Sequence, residues 1–337
     1  MTSWGALRMR SDHALRLVAT LDPATRSIVE DRLGDVVRIE YLGEVAEVQK
    51  PEILERAEIL LCLDPEQEIG GAWPAAPAWR FVQFITAGID YVDFNRFPAS
   101  TVIASNVGGF SEPIAEHALA MALALCKRLP QQHRRLQQGV FDQFSDTGTL
   151  RGKTAAILGF GGIGKACADL LRAFEIRIHA VNRTGRTDYP VEHCSTLSDL
   201  EGVLRVADLV VISLPLTRET RGLLGKRELG WLKDDVILIN VARGEIIEEE
   251  ALYEFLVAHP EAQAGIDAWW IEPFRHGRFR TEYPFLDLAN VLGSPHNSWR
   301  ASGWESVALQ RACDNIARYI AGQAPKGLVD RALYRPV

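Results

Sequence analysis

The chain has 337 residues, a formal net charge of −7 and a sequence pI near 5.7. This length suggests about two domains, and the acidic balance argues against nucleic acid as the main partner. No apolar run approaches the roughly 18 residues of a membrane span, and the N-terminus has no basic segment followed by an apolar one. The five cysteines are scattered, without a CxxC pair or a Cys/His cluster. The sequence therefore predicts a cytoplasmic protein with reduced thiols, no metal site and no membrane partner.

Strands and helices alternate in the N-terminal part of the chain, which predicts βαβ units and a mostly parallel sheet. The predicted strands are 14–21, 36–41, 59–63, 79–85 and 101–104. Asp22 and Pro23 are predicted to open a helix that runs to about Leu33, and a short helix is predicted at 53–57. This part of the chain contains no glycine pattern for phosphate binding.

A helix that is apolar on nearly every face is predicted to begin at Pro113 and to include 114–125. Such a helix should be buried between domains or between subunits. A second, polar and basic helix is predicted at 131–138, and the residues from 139 to 152 are predicted to form a connecting loop.

A run of four apolar residues, 155–158, leads into the pattern Gly159-x-Gly161-x-x-Gly164, and helical spacing then continues to Phe174. A strand, a tight glycine turn and a helix would place a pyrophosphate against the helix N-terminus. An ordinary glycine turn is the alternative, but the flanking strand and helix favour a dinucleotide site. The residues predicted to contact the dinucleotide here are Gly159, Phe160, Gly161, Gly162, Ile163 and Gly164.

Five further strands are predicted after this turn, at 176–181, 208–213, 236–240, 264–267 and 290–293. Their continuous apolar character fits a parallel sheet covered on both faces. Helices are predicted at 197–206, 248–258 and 302–321, and the last is expected to return to the first domain near Trp299. Since the glycine turn lies near the middle of the chain, the cofactor domain is predicted to be inserted into the substrate domain.

Four stretches lie at the carboxyl ends of predicted strands, where open α/β sheets bind ligands. They are 84–90, 239–244, 265–273 and 294–296. Together with the glycine turn, this series resembles the D-isomer-specific 2-hydroxyacid dehydrogenase family from about Phe84 to Ala301, and more weakly before residue 80. The resemblance implies an α/β protein with two doubly wound parallel-sheet domains. A Rossmann cofactor domain, 113–298, would be inserted into a flavodoxin-like substrate domain, 1–112 and 299–337. Family precedent and the apolar helix also predict a homodimer.

The resemblance assigns three catalytic side chains. Arg243 matches the arginine whose planar fork grips the substrate carboxylate and polarises the adjacent ketone. His296 matches the histidine that supplies a proton to the ketone oxygen, and Glu272 matches its acidic partner, which should raise the pKa of His296. Taken singly, Arg243 would be interpreted as a surface residue and His296 as a loop residue; the ordered series favours the catalytic roles.

Binding residues follow from the same resemblance. Ala87, Gly88 and Ile89 match the loop whose backbone N–H groups hold the substrate carboxylate, although a plain turn is the alternative. Asp267 matches the residue that holds the nicotinamide carboxamide, and the pair Glu116-His117 is predicted to be structural. The remaining cofactor contacts implied by the family are Leu214, Pro215, Val241, Ala242 and His296.

The choice of dinucleotide depends on the end of the strand 176–181. NAD-preferring folds have an acidic residue there for the ribose 2′-OH, whereas this chain has Asn182, Arg183 and Thr184. Because these side chains can donate hydrogen bonds to a 2′-phosphate, the sequence predicts NADP(H) as the preferred cofactor, with NAD(H) as the alternative. The alternative for Arg183 is a solvated loop charge.

Three tryptophans depart from the family pattern or crowd the site. Trp269 and Trp270 lie between Asp267 and Glu272, and Trp299 follows His296 by three residues. They predict either a restricted, apolar substrate end or simple packing, and Trp299 is assigned to the substrate pocket. A basic run, Arg275 to Arg280, is expected to be a solvated loop rather than a site for a second anionic group.

The sequence thus predicts an NADP(H)-dependent oxidoreductase that interconverts a small 2-oxo acid, such as glyoxylate or hydroxypyruvate, and the D-2-hydroxy acid. The alternative, from a different class, is a nucleotide-sensing binding protein that resembles the corepressors of the same fold.

Overall fold

The computed structural model describes residues 15–21 and 25–334. The predicted strand residue 14 and the predicted helix opening at Asp22-Pro23 lie outside the described residues. The chain divides into two compact units: unit 1 comprises the residues up to Phe110 and those from Ala301 onward, and unit 2 comprises Ser111–Arg300.

Strands and helices alternate along much of the chain. The strands are β1 Leu15–Ala19, β2 Val37–Tyr41, β3 Ile59–Cys62, β4 Phe81–Phe84, β5 Val102–Ala104, β6 Thr154–Leu158, β7 Arg177–Val181, β8 His193–Ser195, β9 Leu209–Ile212, β10 Ile237–Asn240, β11 Gln263–Ile266 and β12 Val291–Gly293. The α-helices are α1 Arg26–Leu33, α2 Lys50–Arg56, α3 Pro65–Ile69, α4 Ser111–Cys126, α5 Leu129–Gln137, α6 Gly162–Arg172, α7 Leu200–Val206, α8 Lys226–Leu229, α9 Glu249–Ala258, α10 Pro273–His276 and α11 Trp304–Ile320.

Unit 1 is built on a five-stranded parallel sheet in the order β2-β1-β3-β4-β5, which is the flavodoxin-like order. The central strands β3 and β4 are buried along their whole length, as expected for a parallel sheet covered on both faces. The returning helix α11 packs on α1 and β4. Its buried Asn315 donates a 2.7 Å hydrogen bond from Nδ2 to Oε1 of Gln83, which satisfies two polar side chains inside the core.

Unit 2 contains seven parallel strands in the order β12-β11-β10-β9-β6-β7-β8. Counted from β6, this is the Rossmann order with one added strand, and the order reverses between β6 and β9. The carboxyl ends of both strands lie at this switch point, where doubly wound sheets bind ligands. Helix α4 packs on α6, β10 and β11, which buries one of its apolar faces within unit 2.

The fold class predicted from the sequence is confirmed, and the errors are local. Helix α4 begins at Ser111, before Pro113, because a proline is tolerated in the first helical turn, where its missing N–H has no partner to lose. Four short elements escaped prediction, namely β8, α3, α8 and α10, because three to five residues carry too little periodicity. Among the described residues, no helix is long and apolar enough to cross a membrane, and no group of three or more His, Cys, Asp or Glu could hold a metal ion.

Candidate active site

The glycine turn after β6 is shaped by three different steric demands. Gly159 has φ +100°, and a Cβ there would lie 2.6 Å from the backbone N of Leu214. Gly164 packs against the carbonyl oxygen of Gly159, so a side chain there would separate α6 from the turn. Gly161 precedes α6, is exposed, and has no atom within 4 Å of its would-be Cβ. Open space in front of Gly161, at the N-terminus of an eleven-residue helix, fits the pyrophosphate of a dinucleotide.

The other predicted nucleotide contacts of this region adjoin the turn. Ser213, at the end of β9, donates from Oγ to the carbonyl of Gly159 at 2.7 Å, which ties Leu214 and Pro215 to the glycine turn. Leu214 is half-buried and Pro215 is exposed. In the turn itself, Phe160 is buried against Tyr189, and Gly162 and Ile163 begin α6.

The turn after β7 is built by the side chain of Asn182. Its Oδ1 accepts from the backbone N–H of Thr184 at 3.0 Å and of Gly185 at 2.8 Å, and its Nδ2 donates to the carbonyl of Arg186 at 2.9 Å. The hydroxyl of Thr184 is also engaged inside this turn. The guanidinium of Arg183 is exposed and makes no hydrogen bond or ion pair within residues 15–21 and 25–334. Of the three predicted residues, Asn182 and Thr184 thus shape the turn, and Arg183 is an exposed cation, with Arg186 a second exposed arginine of the same turn.

Arg243 stands at the carboxyl end of β10, half-buried, after the buried residues Val241 and Ala242. Asn240 holds this loop, because its side chain accepts from the N–H of Ala242 at 3.1 Å and donates to the carbonyl of Arg243 at 2.9 Å. Gly244 then passes so close to the backbone of Trp269 and Trp270 that a Cβ would lie 2.5 Å from the nitrogen of Trp270. The arginine loop is therefore fixed against the segment that leads to Glu272.

Glu272 and His296 form a hydrogen-bonded pair. Oε2 of the carboxylate lies 2.7 Å from Nδ1 of the imidazole, and Oε1 accepts from the backbone N–H of Trp269 at 2.6 Å. The carboxylate is almost fully buried, whereas 27% of the His296 side chain is exposed. Since Nδ1 faces the carboxylate, Nε2 is the ring nitrogen that can exchange a proton with a substrate.

The backbone of the His296 loop is held by a second carboxylate. Asp267 is completely buried at the end of β11. Its Oδ1 accepts from Oγ of Ser294 at 2.6 Å and from the N–H of Asn297 at 3.2 Å, and its Oδ2 accepts from the N–H of Ser298 at 3.3 Å. The predicted contact of Asp267 with a nicotinamide carboxamide stays a prediction. The contacts present in the protein give it a role in shaping the loop that carries His296.

The tryptophans separate into two groups. Trp269 and Trp270 are buried in the core of unit 2, and their Nε1 atoms donate to the carbonyls of Ser294 and Ile247 at 2.8 and 2.7 Å. These two indoles therefore pack in the core of unit 2. Trp299 is half-buried, donates from Nε1 to the carbonyl of His296 at 3.2 Å, and carries the Arg300 guanidinium over its ring.

Sequence reasoning missed one ion pair beside the site. Arg275 lies 2.8 Å from Glu245, and both side chains are mostly buried. The expectation of a solvated loop is therefore wrong for Arg275, because α10 folds its side chain back onto the acidic residue two positions after Arg243. His276 is likewise engaged, since its Nδ1 accepts from the N–H of Glu272 at 3.0 Å. The feature of the sequence that could have indicated this ion pair is Glu245, which directly follows Arg243-Gly244.

The predicted carboxylate-binding loop belongs to unit 1, after β4. Ala87 and Gly88 are half-buried, and Ile89 is buried in the core of that unit. Thr86 donates from Oγ1 to the carbonyl of Gly88 at 3.3 Å, which is consistent with the plain turn that was the alternative interpretation. A role of Ala87–Ile89 in binding substrate stays a prediction.

The comparison with known families decides the identity of this fold. A profile described as "D-isomer specific 2-hydroxyacid dehydrogenase, NAD binding domain" matches residues 119–298, more than half of the chain. The chain belongs to the D-isomer-specific 2-hydroxyacid dehydrogenase family. It is an oxidoreductase, and its cofactor domain is the NAD-binding domain of this family, as the glycine turn predicts.

Individual relatives agree with this family. A D-3-phosphoglycerate dehydrogenase of Archaeoglobus fulgidus is 34% identical over 224 residues, which are 66% of this chain and 42% of that protein. A glyoxylate reductase of Thermococcus gammatolerans is 28% identical over 326 residues, which are 92% of this chain and 96% of that protein. A D-isomer-specific 2-hydroxyacid dehydrogenase of Xanthobacter autotrophicus Py2, solved with NADPH and MES, has a TM-score of 0.77 at 24% identity, with 96% of this chain and 100% of that chain covered. This last likeness is one of fold.

Because Gly159 is crowded and Gly161 faces open space, substitution by alanine should have different effects at the two positions. Gly159→Ala should destabilise the protein by about 2 kcal/mol or more, because it combines a positive φ with a backbone clash. Gly161→Ala should leave the free energy of unfolding unchanged but weaken NADPH binding about tenfold, or about 1.4 kcal/mol, because the methyl group occupies the open space before α6. Urea unfolding and calorimetric titration measure the two effects. Wild-type affinity in the Gly161→Ala variant would contradict the assignment of the pyrophosphate to this turn.

Proposed function

We propose that this protein is an NADP(H)-dependent reductase of small 2-oxo acids, which forms the D-2-hydroxy acid and catalyses the reverse oxidation. The observation that carries the proposal is the Glu272–His296 pair, with Nε2 as the remaining ring nitrogen, on a segment fixed against the Arg243 loop. An acid–base histidine and an arginine beside a dinucleotide turn are the groups that carbonyl reduction needs.

The chemistry divides between the cofactor and the protein. A bound nicotinamide cofactor in its reduced form supplies the hydride. Arg243 binds the carboxylate of the 2-oxo acid and polarises its ketone. His296 donates a proton from Nε2 to the ketone oxygen, so that the ketone takes up one hydride and one proton and becomes an alcohol. Glu272 keeps Nδ1–H hydrogen-bonded throughout, which holds the tautomer and pairs with the imidazolium before the proton leaves.

The substrate class rests on the relatives and on the charges near the site. The Thermococcus gammatolerans relative, aligned over nearly its whole length, is named glyoxylate reductase, and a relative of Thermotoga maritima is named hydroxypyruvate reductase. The pairing of Arg275 with Glu245 removes a cation that a phosphorylated substrate could use. The two named reductases favour glyoxylate and hydroxypyruvate, and the paired Arg275 argues against a phosphorylated acid, although the Archaeoglobus fulgidus relative, of which this chain spans 42%, is named D-3-phosphoglycerate dehydrogenase. We assign Ala87–Ile89 to the substrate carboxylate and Trp299 to the pocket on the family pattern.

The function is tested by following the loss of NADPH absorbance with a panel of 2-oxo acids that includes glyoxylate, hydroxypyruvate, pyruvate and a phosphorylated hydroxypyruvate. Turnover should be fastest with the first two. Tight NADPH binding without turnover on any member would overturn the enzymatic proposal and favour a nucleotide-sensing protein.

Replacement of the proposed acid should separate chemistry from binding. His296→Gln should lower kcat by at least about 100-fold, because general acid–base catalysis contributes about 10²- to 10⁴-fold. The Kd for NADPH, measured by calorimetry, should stay within about twofold of the wild-type value. The matched control is His259→Gln, at the C-terminal end of α9, which should keep wild-type kcat. Unchanged turnover in the His296→Gln variant would remove His296 from this role.

The NADP(H) preference is assigned to Arg183, an exposed cation of the turn after β7. Arg183→Ala should raise the KM for NADPH about tenfold and leave the KM for NADH within about twofold, because a charge-assisted contact to the 2′-phosphate is lost. Arg205→Ala serves as the control, since Arg205 is an exposed arginine of α7 paired with Glu201. A wild-type protein that strongly prefers NADH would contradict the assignment.

We also propose that the protein is a homodimer. Phe141 and Phe144 are 78% and 86% exposed in the loop after α5, and Leu129 and Leu136 are exposed on α5 itself. Clustered exposed apolar side chains are typical of interaction surfaces. Sedimentation equilibrium should give twice the chain mass of 37.4 kDa, and the double variant Phe141→Ser/Phe144→Ser should shift the protein towards the single-chain mass. A wild-type mass of one chain would contradict the proposal.

A further inference from the structure

A chain of hydrogen bonds connects helix α4 to the loop that carries His296. Nε2 of His117, on α4, lies 2.9 Å from Oγ of Ser294. That hydroxyl lies 2.6 Å from Oδ1 of Asp267, and Nε2 of His117 is itself 3.7 Å from the same oxygen. All three residues belong to unit 2 and none is part of the proposed proton-transfer pair.

The direction of these hydrogen bonds follows from the number of protons available. A serine hydroxyl has one proton, and an ionised carboxylate can only accept. Ser294 therefore donates to Asp267 and accepts from His117, which fixes Nε2 of His117 as an N–H donor. The helix thus contributes a donor that orients the Ser294 hydroxyl, and Ser294 occupies one of the acceptor positions of a carboxylate with no exposure to water.

At the other end of this series of hydrogen bonds, Asp267 contacts residues on both sides of the catalytic histidine in the sequence. Asp267 accepts from Ser294, two residues before His296, and from the backbone N–H groups of Asn297 and Ser298, the two residues after it. His296 itself has φ +50°, a left-handed conformation that costs a non-glycine residue about 1–2 kcal/mol. The contacts with Asp267 hold the loop in this conformation, and Glu272 then orients the ring.

We propose that His117 is a positioning residue for the catalytic histidine, and that it acts through Ser294 and Asp267 on the backbone of residues 294–298. This inference rests on the proposed function of His296. Without the His117 donor, the Ser294 hydroxyl is free to rotate away from Asp267, and the loop loses one of the three donors that fix it on that carboxylate. The proton-donating Nε2 of His296 then samples orientations that do not face the substrate.

Turnover separates this role from general stabilisation of the fold. His117→Phe and Ser294→Ala should each lower kcat about tenfold, since small displacements of a catalytic group cost rates of this order. The KM for NADPH should change by less than about twofold. His117→Gln should restore kcat to within about threefold, because the glutamine Nε2 can donate at the position of the imidazole Nε2. The matched control is His259→Phe at the C-terminal end of α9, which should leave kcat unchanged.

A double variant tests whether the two residues act through one chain. His117→Phe/Ser294→Ala should lose no more kcat than the worse single variant, because both changes break the same connection. If the losses in kcat of the two single variants multiplied in the double variant, the proposed connection would be overturned. A His117→Phe variant with wild-type kcat would overturn it as well. A His117→Gln variant that is no better than His117→Phe would also overturn it.

Amide hydrogen exchange gives a readout that does not depend on turnover. The N–H groups of Asn297 and Ser298 should exchange at least about tenfold faster in His117→Phe than in the wild-type protein, and at nearly the wild-type rate in His117→Gln. Unchanged exchange in His117→Phe would overturn the proposed coupling. If the wild-type protein turned over none of the 2-oxo acids, the proposed function would fail while the exchange rates would still support or overturn the coupling.

Discussion

The contact between the Glu272 carboxylate and Nδ1 of His296 is the interaction on which the proposed chemistry of this site depends. It leaves Nε2 as the only ring nitrogen that can face a substrate, and it gives the imidazolium a partner of opposite charge. The backbone N–H of Trp269 in turn holds the carboxylate, so the orientation of the His296 ring is set by a residue in the core of unit 2. The left-handed backbone at His296 is tolerated because Asp267 binds the residues on both sides of it.

The same construction principle recurs along the carboxyl edge of the seven-stranded sheet. Asn182 after β7 and Asn240 at the end of β10 each use both ends of a side-chain amide to fold the loop that follows the strand. The loop after β7 carries Arg183 and Arg186, and the loop after β10 carries Arg243. Because the amides are used in building the loops, the proposed recognition of anionic groups is assigned to Arg183 and Arg243. Loops held by buried side chains on a rigid sheet give the positional accuracy that hydride and proton transfer require.

The positions of the candidate site residues could be predicted because most of them follow apolar strands closely. Parallel strands end at one edge of their sheet, so Gly159, Arg243, Glu272 and His296 were expected in the same unit. The partners of these residues were harder to predict. The Arg275–Glu245 ion pair and the three donors on Asp267 depend on how short segments fold back, and no periodic pattern encodes such contacts.

The sequence by itself determined the two parallel sheets, the inserted cofactor domain and the family, because apolar strand periodicity and glycine geometry are local properties that can be recognised along the chain. The tertiary structure decided which of the candidate side chains are engaged within the protein itself. Asn182 and Thr184 hydrogen-bond within the loop that they shape, Trp269 and Trp270 pack in the core, and His117 contacts the His296 loop through Ser294. These outcomes depend on hydrogen bonds between residues far apart in the chain, and burial leaves each such group only the partners that folding supplies.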